Sequence, residues 1–151
     1  MKSTKKSFII PTDSHALEAE FSIPNNSNHT PCVILCSPSP KFGGDMQNTV
    51  LIQISSELNQ LGIASLKFNY RGVGNSTGET SKGSGELQDT IEVIKFIESI
   101  QEIDGSRIGI AGYSFGAWMA LDSSTKNQKV KSICSIACPQ NKLSLFSTLE
   151  I

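Results

Sequence analysis

The sequence has no long apolar run, no excess of one charge and no internal repeat, and each absence removes a class of protein. No stretch approaches the roughly eighteen apolar residues that a membrane-spanning helix requires. Thirteen Lys+Arg face fourteen Asp+Glu, a formal charge of −1. The basic residues are scattered, so neither a nucleic acid nor a membrane is an expected partner. The basic start at residues 1–7 leads only into Phe8-Ile9-Ile10 before Pro11, too little apolar sequence for a secretory leader. The expected location is the cytoplasm. Four cysteines fall as two C-x3-C pairs, Cys32/Cys36 and Cys134/Cys138, each inside an apolar run rather than the turn-rich setting of a zinc knuckle. Reduced, buried thiols are expected at both.

What is present describes one globular domain. The chain has 151 residues and 16.3 kDa, with 38% hydrophobic and 18% charged residues and a mean hydropathy of −0.12. A chain of this length buries roughly two thirds of its unfolded surface and needs no disulfide or structural metal.

Along the chain, strand patterns alternate with helix patterns, which argues for a parallel sheet covered on both faces. Residues 8–10 and 17–23 read as two opening strands joined by the turn cluster Pro11-Thr12-Asp13-Ser14; Leu17, Ala19, Phe21 and Ile23 alternate with polar residues. After a loop at 24–28, Cys32-Val33-Ile34-Leu35-Cys36 is a continuous apolar run of the kind buried on both faces, ended by Ser37-Pro38-Ser39-Pro40. Leu51, Ile54, Leu58 and Leu61 form one stripe of a helix over 48–61, closed by Gly62. A strand at 63–68, a Gly/Ser/Thr-rich loop at 70–85 and a second helix marked by Leu87, Ile91, Ile94, Ile97 and Ile100 follow. Asp104-Gly105 is read as a turn before a buried strand at 108–112, a helix from Phe115 to about Ser124, a last strand at 130–137 and one short helical stretch beyond.

The sharpest chemical signal is Gly112-Tyr113-Ser114-Phe115-Gly116, a G-x-S-x-G where an apolar strand meets a helix. Alone, such a pattern turns up by chance in roughly one chain in twenty of this length. Its setting gives it meaning. Reversing from strand to helix in about one residue forces the serine into strained dihedrals, while the flanking glycines let strand and helix approach. The hydroxyl is then presented at the strand's C-terminal end, where the first helical amide, that of Phe115, can meet a developing oxyanion. The plainer alternative is a tight turn with a serine N-cap. A second oxyanion donor is expected from the loop after Cys36: Pro38 and Pro40 lack an N–H, which leaves Ser39 first, with Lys41 and Phe42 behind it. Gly43-Gly44 permits sharp turning before the helix.

On these residues the chain resembles the α/β-hydrolase superfamily, and more narrowly small bacterial hydrolases related to dienelactone hydrolases. Three blocks carry the resemblance in order: residues 38–46 after the third strand, residues 68–79 (Phe-Asn-Tyr-Arg-Gly-Val-Gly-Asn-Ser-Thr-Gly-Glu) after the fourth, and the serine elbow after the fifth. It is strongest over residues 8–139 and implies one domain over 1–151, an α/β three-layer sandwich with a mostly parallel sheet of about six strands, truncated at its C-terminal end. The implied activity is hydrolysis of an ester or related acyl bond in a small-molecule substrate, with Ser114 as nucleophile and the Phe115 and Ser39 amides as oxyanion donors; no cofactor is implied. Two departures stand out. Where the family commonly has His-Pro-His-Pro, this chain has Ser37-Pro38-Ser39-Pro40, which changes side-chain support but not the backbone donor. The family's triad continues with an acid and then a histidine, whereas after Ser114 this chain has only Asp122 and Glu150 as acids and no histidine.

The upstream histidines are not expected to substitute. In the family's strand order, 1-2-4-3-5-6, the first hairpin lies about four strand spacings from the serine strand, roughly 19 Å, so His15 is out of reach. His29 precedes the third strand, at the opposite pole. Both read as solvated loop residues, and Lys41 is only a distant candidate base. Gly72-Val73-Gly74 is followed by Gly78, one residue late for a dinucleotide fingerprint, and 78–84 lacks the Gly-Lys-Ser/Thr of a phosphate loop. Arg71 is expected to tie its loop to carbonyls near the site. The cysteine pairs should lie roughly 10 Å apart across the serine strand, which rules out one four-thiolate site. The expected outcome is an impaired hydrolase or, alternatively, a catalytically incomplete binding module or half of a split enzyme. The sixth strand, interior in the family, is expected to leave an open apolar edge for a second copy unless Leu143, Leu145, Phe146 and Leu149 fold back over it.

Overall fold

The computed structural model describes residues 3–25 and 29–146. Glu150 and Leu149 lie outside the described residues, as does the side chain of Leu145. The strands are β1 (Ser3–Pro11), β2 (Ala16–Pro24), β3 (Thr30–Cys36), β4 (Ala64–Phe68), β5 (Ile103–Tyr113) and β6 (Val130–Ile136). The helices are α1 (Thr49–Gln60), α2 (Ser84–Ser99), α3 (Phe115–Thr125) and the short α4 (Gln140–Leu143), with single 3-10 turns at Pro40–Phe42 and Ser144–Phe146. The six strands form one sheet in the order β1-β2-β4-β3-β5-β6. The β1–β2 and β2–β4 pairs are antiparallel and the others parallel. This is the α/β-hydrolase arrangement expected from the sequence.

The side-chain alternation of β3 and β5 divides the core into two layers. Leu35 and Ala111 face α1, where Leu51, Ile54 and Leu58 pack against them. Cys32, Ile34, Ile108 and Ile110 face the opposite side, toward Ile94 and Ile97 of α2 and Met119 and Ala120 of α3. Both faces of the central strands are therefore dry, which is why their sequences read as unbroken apolar runs. Asn48 starts α1 by accepting the Val50 amide at 3.0 Å. Leu61, counted in the apolar stripe, lies past the end of the helix and is 75% exposed. Among the described residues no helix is long and apolar enough to cross a membrane.

Three sequence expectations need correction. Asp104-Gly105 does not end before the strand begins: β5 pairs Ile103 with Thr30 and then Ile108 with Cys32, so residues 104–107 bulge out of a longer strand. The Asp104 carboxylate closes that bulge by accepting from the Ser106 amide and the Arg107 guanidinium. The opening strand begins at Ser3 rather than Phe8, because its polar residues pair through backbone with β2. The second cysteine pair is not buried: Cys134 is exposed and Cys138 half-buried, whereas Cys32 and Cys36 are buried. The cause is topological, since β6 is the sheet's edge and residues 131–135 are exposed.

Candidate active site

Ser114 sits between β5 and α3 with φ 57 and ψ −117, a backbone conformation that costs a non-glycine residue about 1–3 kcal/mol. The surrounding chain enforces it. Its N–H donates to the Ile136 carbonyl of β6 at 2.9 Å, and its carbonyl accepts the Ala117 amide at 3.0 Å to open α3. The flanking glycines leave no room for a side chain. A Cβ on Gly112 would stand 2.0 Å from the Gly116 carbonyl oxygen, and one on Gly116 would stand 2.1 Å from that of Cys36 and 2.5 Å from that of Ser37. The exit of β3 thus passes directly against the first turn of α3, at the C-terminal ends of the central strands. Open α/β sheets bind ligands at that pole.

The amide of Phe115, first in α3, has no hydrogen-bond acceptor among the described residues, and neither has that of Ser39. Phe42, the reserve donor, is spent: its N–H gives to the Ser39 carbonyl at 3.1 Å, as does that of Gly44 at 2.9 Å. Gly44 is required there, because a Cβ would meet the Pro38 carbonyl oxygen at 2.3 Å. Ser37, in place of the family's histidine, is 1% exposed, and its hydroxyl has no hydrogen-bond partner among the described residues. Phe115 is held edge-on between Tyr70 (5.7 Å) and Trp118 (5.6 Å). The Lys142 ammonium lies over the Trp118 ring at 4.0 Å.

The loop after β4 is tied by side chains that the sequence reading did not single out. Asn69 accepts the Met46 amide at 2.8 Å and donates to Glu18 at 2.7 Å, so it joins the β3 exit loop to the β4 exit loop. Glu18 also accepts from the amide and side chain of Asn75. The Asn75 amide is the chief cause that holds the Glu18 carboxyl below the usual range, and it outweighs the opposing effect of burial.

Arg71 and His15 depart from expectation together. Arg71 does not reach carbonyls: its guanidinium forks onto the Asp89 carboxylate, with Nη2 at 2.7 Å and Nε at 3.1 Å, while its amide donates to the other oxygen. His15 is no solvated loop residue. Its side chain is 7% exposed and pairs through Nε2 with the same carboxylate at 2.7 Å, with Thr12 and Ser14 hydroxyls at Nδ1. A fully buried carboxylate needs such partners. The sequence carried half of that signal: Asp89 lies on the stripe of α2 that also carries Glu86, Val93, Ile94 and Ile97, but its neighbours do not say which cation meets it. An acid on a buried face demands a cation. His29 is exposed at the start of β3, the pole opposite Ser114, as anticipated. Asp122 is held by Lys126 on the outside of α3.

The sequence matches the X-Pro dipeptidyl-peptidase (S15) family over residues 13–144. The chain belongs to that family. Among solved structures, this S15-family chain is similar to an Agrobacterium tumefaciens protein of unknown function provisionally described as an alpha/beta hydrolase. The TM-score is 0.85 at 30% identity, over 94% of this chain and 65% of that one. An alpha-beta serine hydrolase homologue from Coxiella burnetii gives a TM-score of 0.76 at 32% identity, over 85% of this chain and 60% of that one. Among curated proteins, a Rickettsia prowazekii relative is 29% identical over 117 residues, 78% of this chain and 49% of its own length. The chain thus spans about half the length of that relative.

Proposed function

We propose that the chain is a serine hydrolase acting on ester or related acyl bonds of small molecules, and that it turns over slowly as it stands because no acid–histidine pair meets its nucleophile among the described residues. The observation that carries the reading is the strained, glycine-enclosed placement of Ser114 at the end of β5. In the step we envisage, the Ser114 hydroxyl oxygen bonds to the carbonyl carbon. The carbonyl electron pair moves onto oxygen, facing the Phe115 and Ser39 amides, and the hydroxyl proton leaves to a base. The tetrahedral species then expels the alcohol, which takes up a proton, and water releases the acyl group.

The proton acceptor is the weak point. His15 is committed to Asp89, Thr12 and Ser14, and His29 lies at the other pole. Binding and an oxyanion hole without the triad leave about 10³–10⁴ over water. The test is hydrolysis of p-nitrophenyl acetate with covalent capture by a fluorophosphonate. We expect slow turnover that Ser114→Ala removes. An unchanged rate in that variant refutes Ser114 as nucleophile, and turnover at ordinary enzyme rates that the variant abolishes refutes the impairment. The commitment of His15 to Asp89 also favours a second reading, a binding module; saturable binding of an acyl ligand that Ser114→Ala leaves intact, with no turnover, would select it. All four cysteines are free, which supports a reducing compartment such as the cytoplasm.

A further inference from the structure

The described residues do hold an acid–histidine pair, and it stands beside a different serine. His15 lies in the turn between β1 and β2, at the opposite edge of the sheet from β6. Its Nε2 is 2.7 Å from the fully buried Asp89 carboxylate of α2, and its Nδ1 is 3.1 Å from the hydroxyl of the exposed Ser14. The chemistry proposed for Ser114 uses none of these three side chains.

Counting protons fixes which group gives to which. The Asp89 carboxylate, gripped by the Arg71 guanidinium at 2.7 Å, accepts from both cations, so His15 Nε2 carries a hydrogen. The Thr12 hydroxyl spends its one proton on the His15 carbonyl at 2.8 Å. Toward Nδ1, 2.9 Å away, it therefore offers a lone pair. That leaves Ser14 as the donor to a neutral Nδ1. When Nδ1 gains a proton, Thr12 is the acceptor that meets it and Asp89 carries the countercharge. Both protonation states have partners in place, as a general base requires. A nucleophile within reach of a base that a third group orients is the arrangement of covalent catalysis, whatever its order along the chain.

We propose that Ser14 is a second acylation site, with His15 as its base and Asp89 holding the imidazole, and that it takes a small acyl group from an activated ester. Ser14 Oγ bonds to the carbonyl carbon, the carbonyl electron pair moves onto oxygen, and the hydroxyl proton passes to His15 Nδ1. The tetrahedral species then breaks its bond to a leaving group such as p-nitrophenolate, which departs with the bonding pair, and the imidazolium returns its proton to solvent. The amides of Asp13 and Ser14, without acceptors among the described residues, are donors left on the same turn for the oxyanion. The cleft beside the turn sets the size: about 50 Å³, bounded by Thr12, Asp13, Arg71, Gln88 and Glu92, it admits an acetyl group and no long chain. Release is slower than capture. Acetylserine is an alkyl ester whose alkoxide is a far poorer leaving group than a nitrophenolate, so the adduct accumulates instead of turning over.

The test uses the full chain carrying Ser114→Ala, so that failure here and failure at Ser114 are read separately. After exposure to p-nitrophenyl acetate, peptide mass spectrometry should find an acetyl on Ser14. His15→Gln keeps a donor for Asp89 and removes the base; it should slow that acetylation about 10²-fold, the low end of what general-base catalysis contributes. Ser56, exposed on α1 and hydrogen-bonded to no histidine among the described residues, is the internal reference. Acetyl groups confined to lysine amines overturn the proposal, as does a Ser14 that reacts no faster than Ser56. Acetylation of Ser14 that His15→Gln leaves at full rate overturns it too.

Discussion

The strain at Ser114 makes a prediction whose sign is unusual. At an ordinary position glycine is less favourable than alanine by about 0.4–1 kcal/mol, because the unfolded glycine chain has more freedom to lose. At φ 57 and ψ −117 alanine must bear a backbone cost of about 1–3 kcal/mol that glycine escapes. Both substitutions delete the hydroxyl, so its loss cancels in the comparison. Ser114→Gly should therefore be more stable than Ser114→Ala by about 0.5–2 kcal/mol. For a domain of this size each 1 kcal/mol moves the thermal midpoint by about 2–4 °C. Urea unfolding of the two variants, with equal m-values as a control, reads the difference directly. A Ser114→Ala protein as stable as Ser114→Gly or more so would mean that no strain is stored there, and the argument for a nucleophile elbow would go with it.

Other tests bear on the packing around that point. Gly116→Ala gains about 1 kcal/mol of helix propensity yet drives a methyl into the Cys36 carbonyl; net destabilisation by about 1–3 kcal/mol in denaturant titrations is expected. Asp89→Ala strands the Arg71 guanidinium against a buried void and should cost about 3–5 kcal/mol, while Ser37→Ala deletes an unpartnered hydroxyl and should be neutral or stabilising by about 1 kcal/mol. Burial raises the Glu86 carboxyl's affinity for a proton, but the Ser81 and Gly83 amides and the Ser81 hydroxyl outweigh it and hold the group below the usual range. Its stabilising contribution is thus full above the ordinary glutamate pKa of about 4.3 and lost as pH falls through the lower folded value, so Glu86→Gln should flatten the acid limb of a stability–pH curve. Cys134 is exposed, whereas burial pushes the Cys36 thiol up to about 12; maleimide labelling followed by mass spectrometry should modify Cys134 in the native protein and Cys36 only on unfolding.

Much of this architecture was legible because it is written locally. The apolar run at 32–36, the α1 stripe and the G-x-S-x-G each declare a period or a steric demand within a few residues, and each reappears where expected. Partnerships across long separations were not. Asp89 meets His15 across 74 positions, and nothing near either residue announces the other. The exposed state of Cys134 follows from strand order rather than composition, since its apolar neighbours read identically in an interior strand. Ser39 was reached by eliminating prolines, but the occupation of the Phe42 amide depended on a 3-10 turn that Pro40 initiates.

The pose of Ser114 draws on four separate pieces of backbone: β3 presses on Gly116, β5 delivers the residue, β6 takes its amide and α3 takes its carbonyl. None of these is close to all the others along the chain, so no fragment of the sheet can form the kink by itself. The geometry at Ser114 is accordingly a late product of folding, assembled only when β6 docks. Chemical capture of that hydroxyl would serve as a clock for completion of the sheet rather than for the appearance of its first helices.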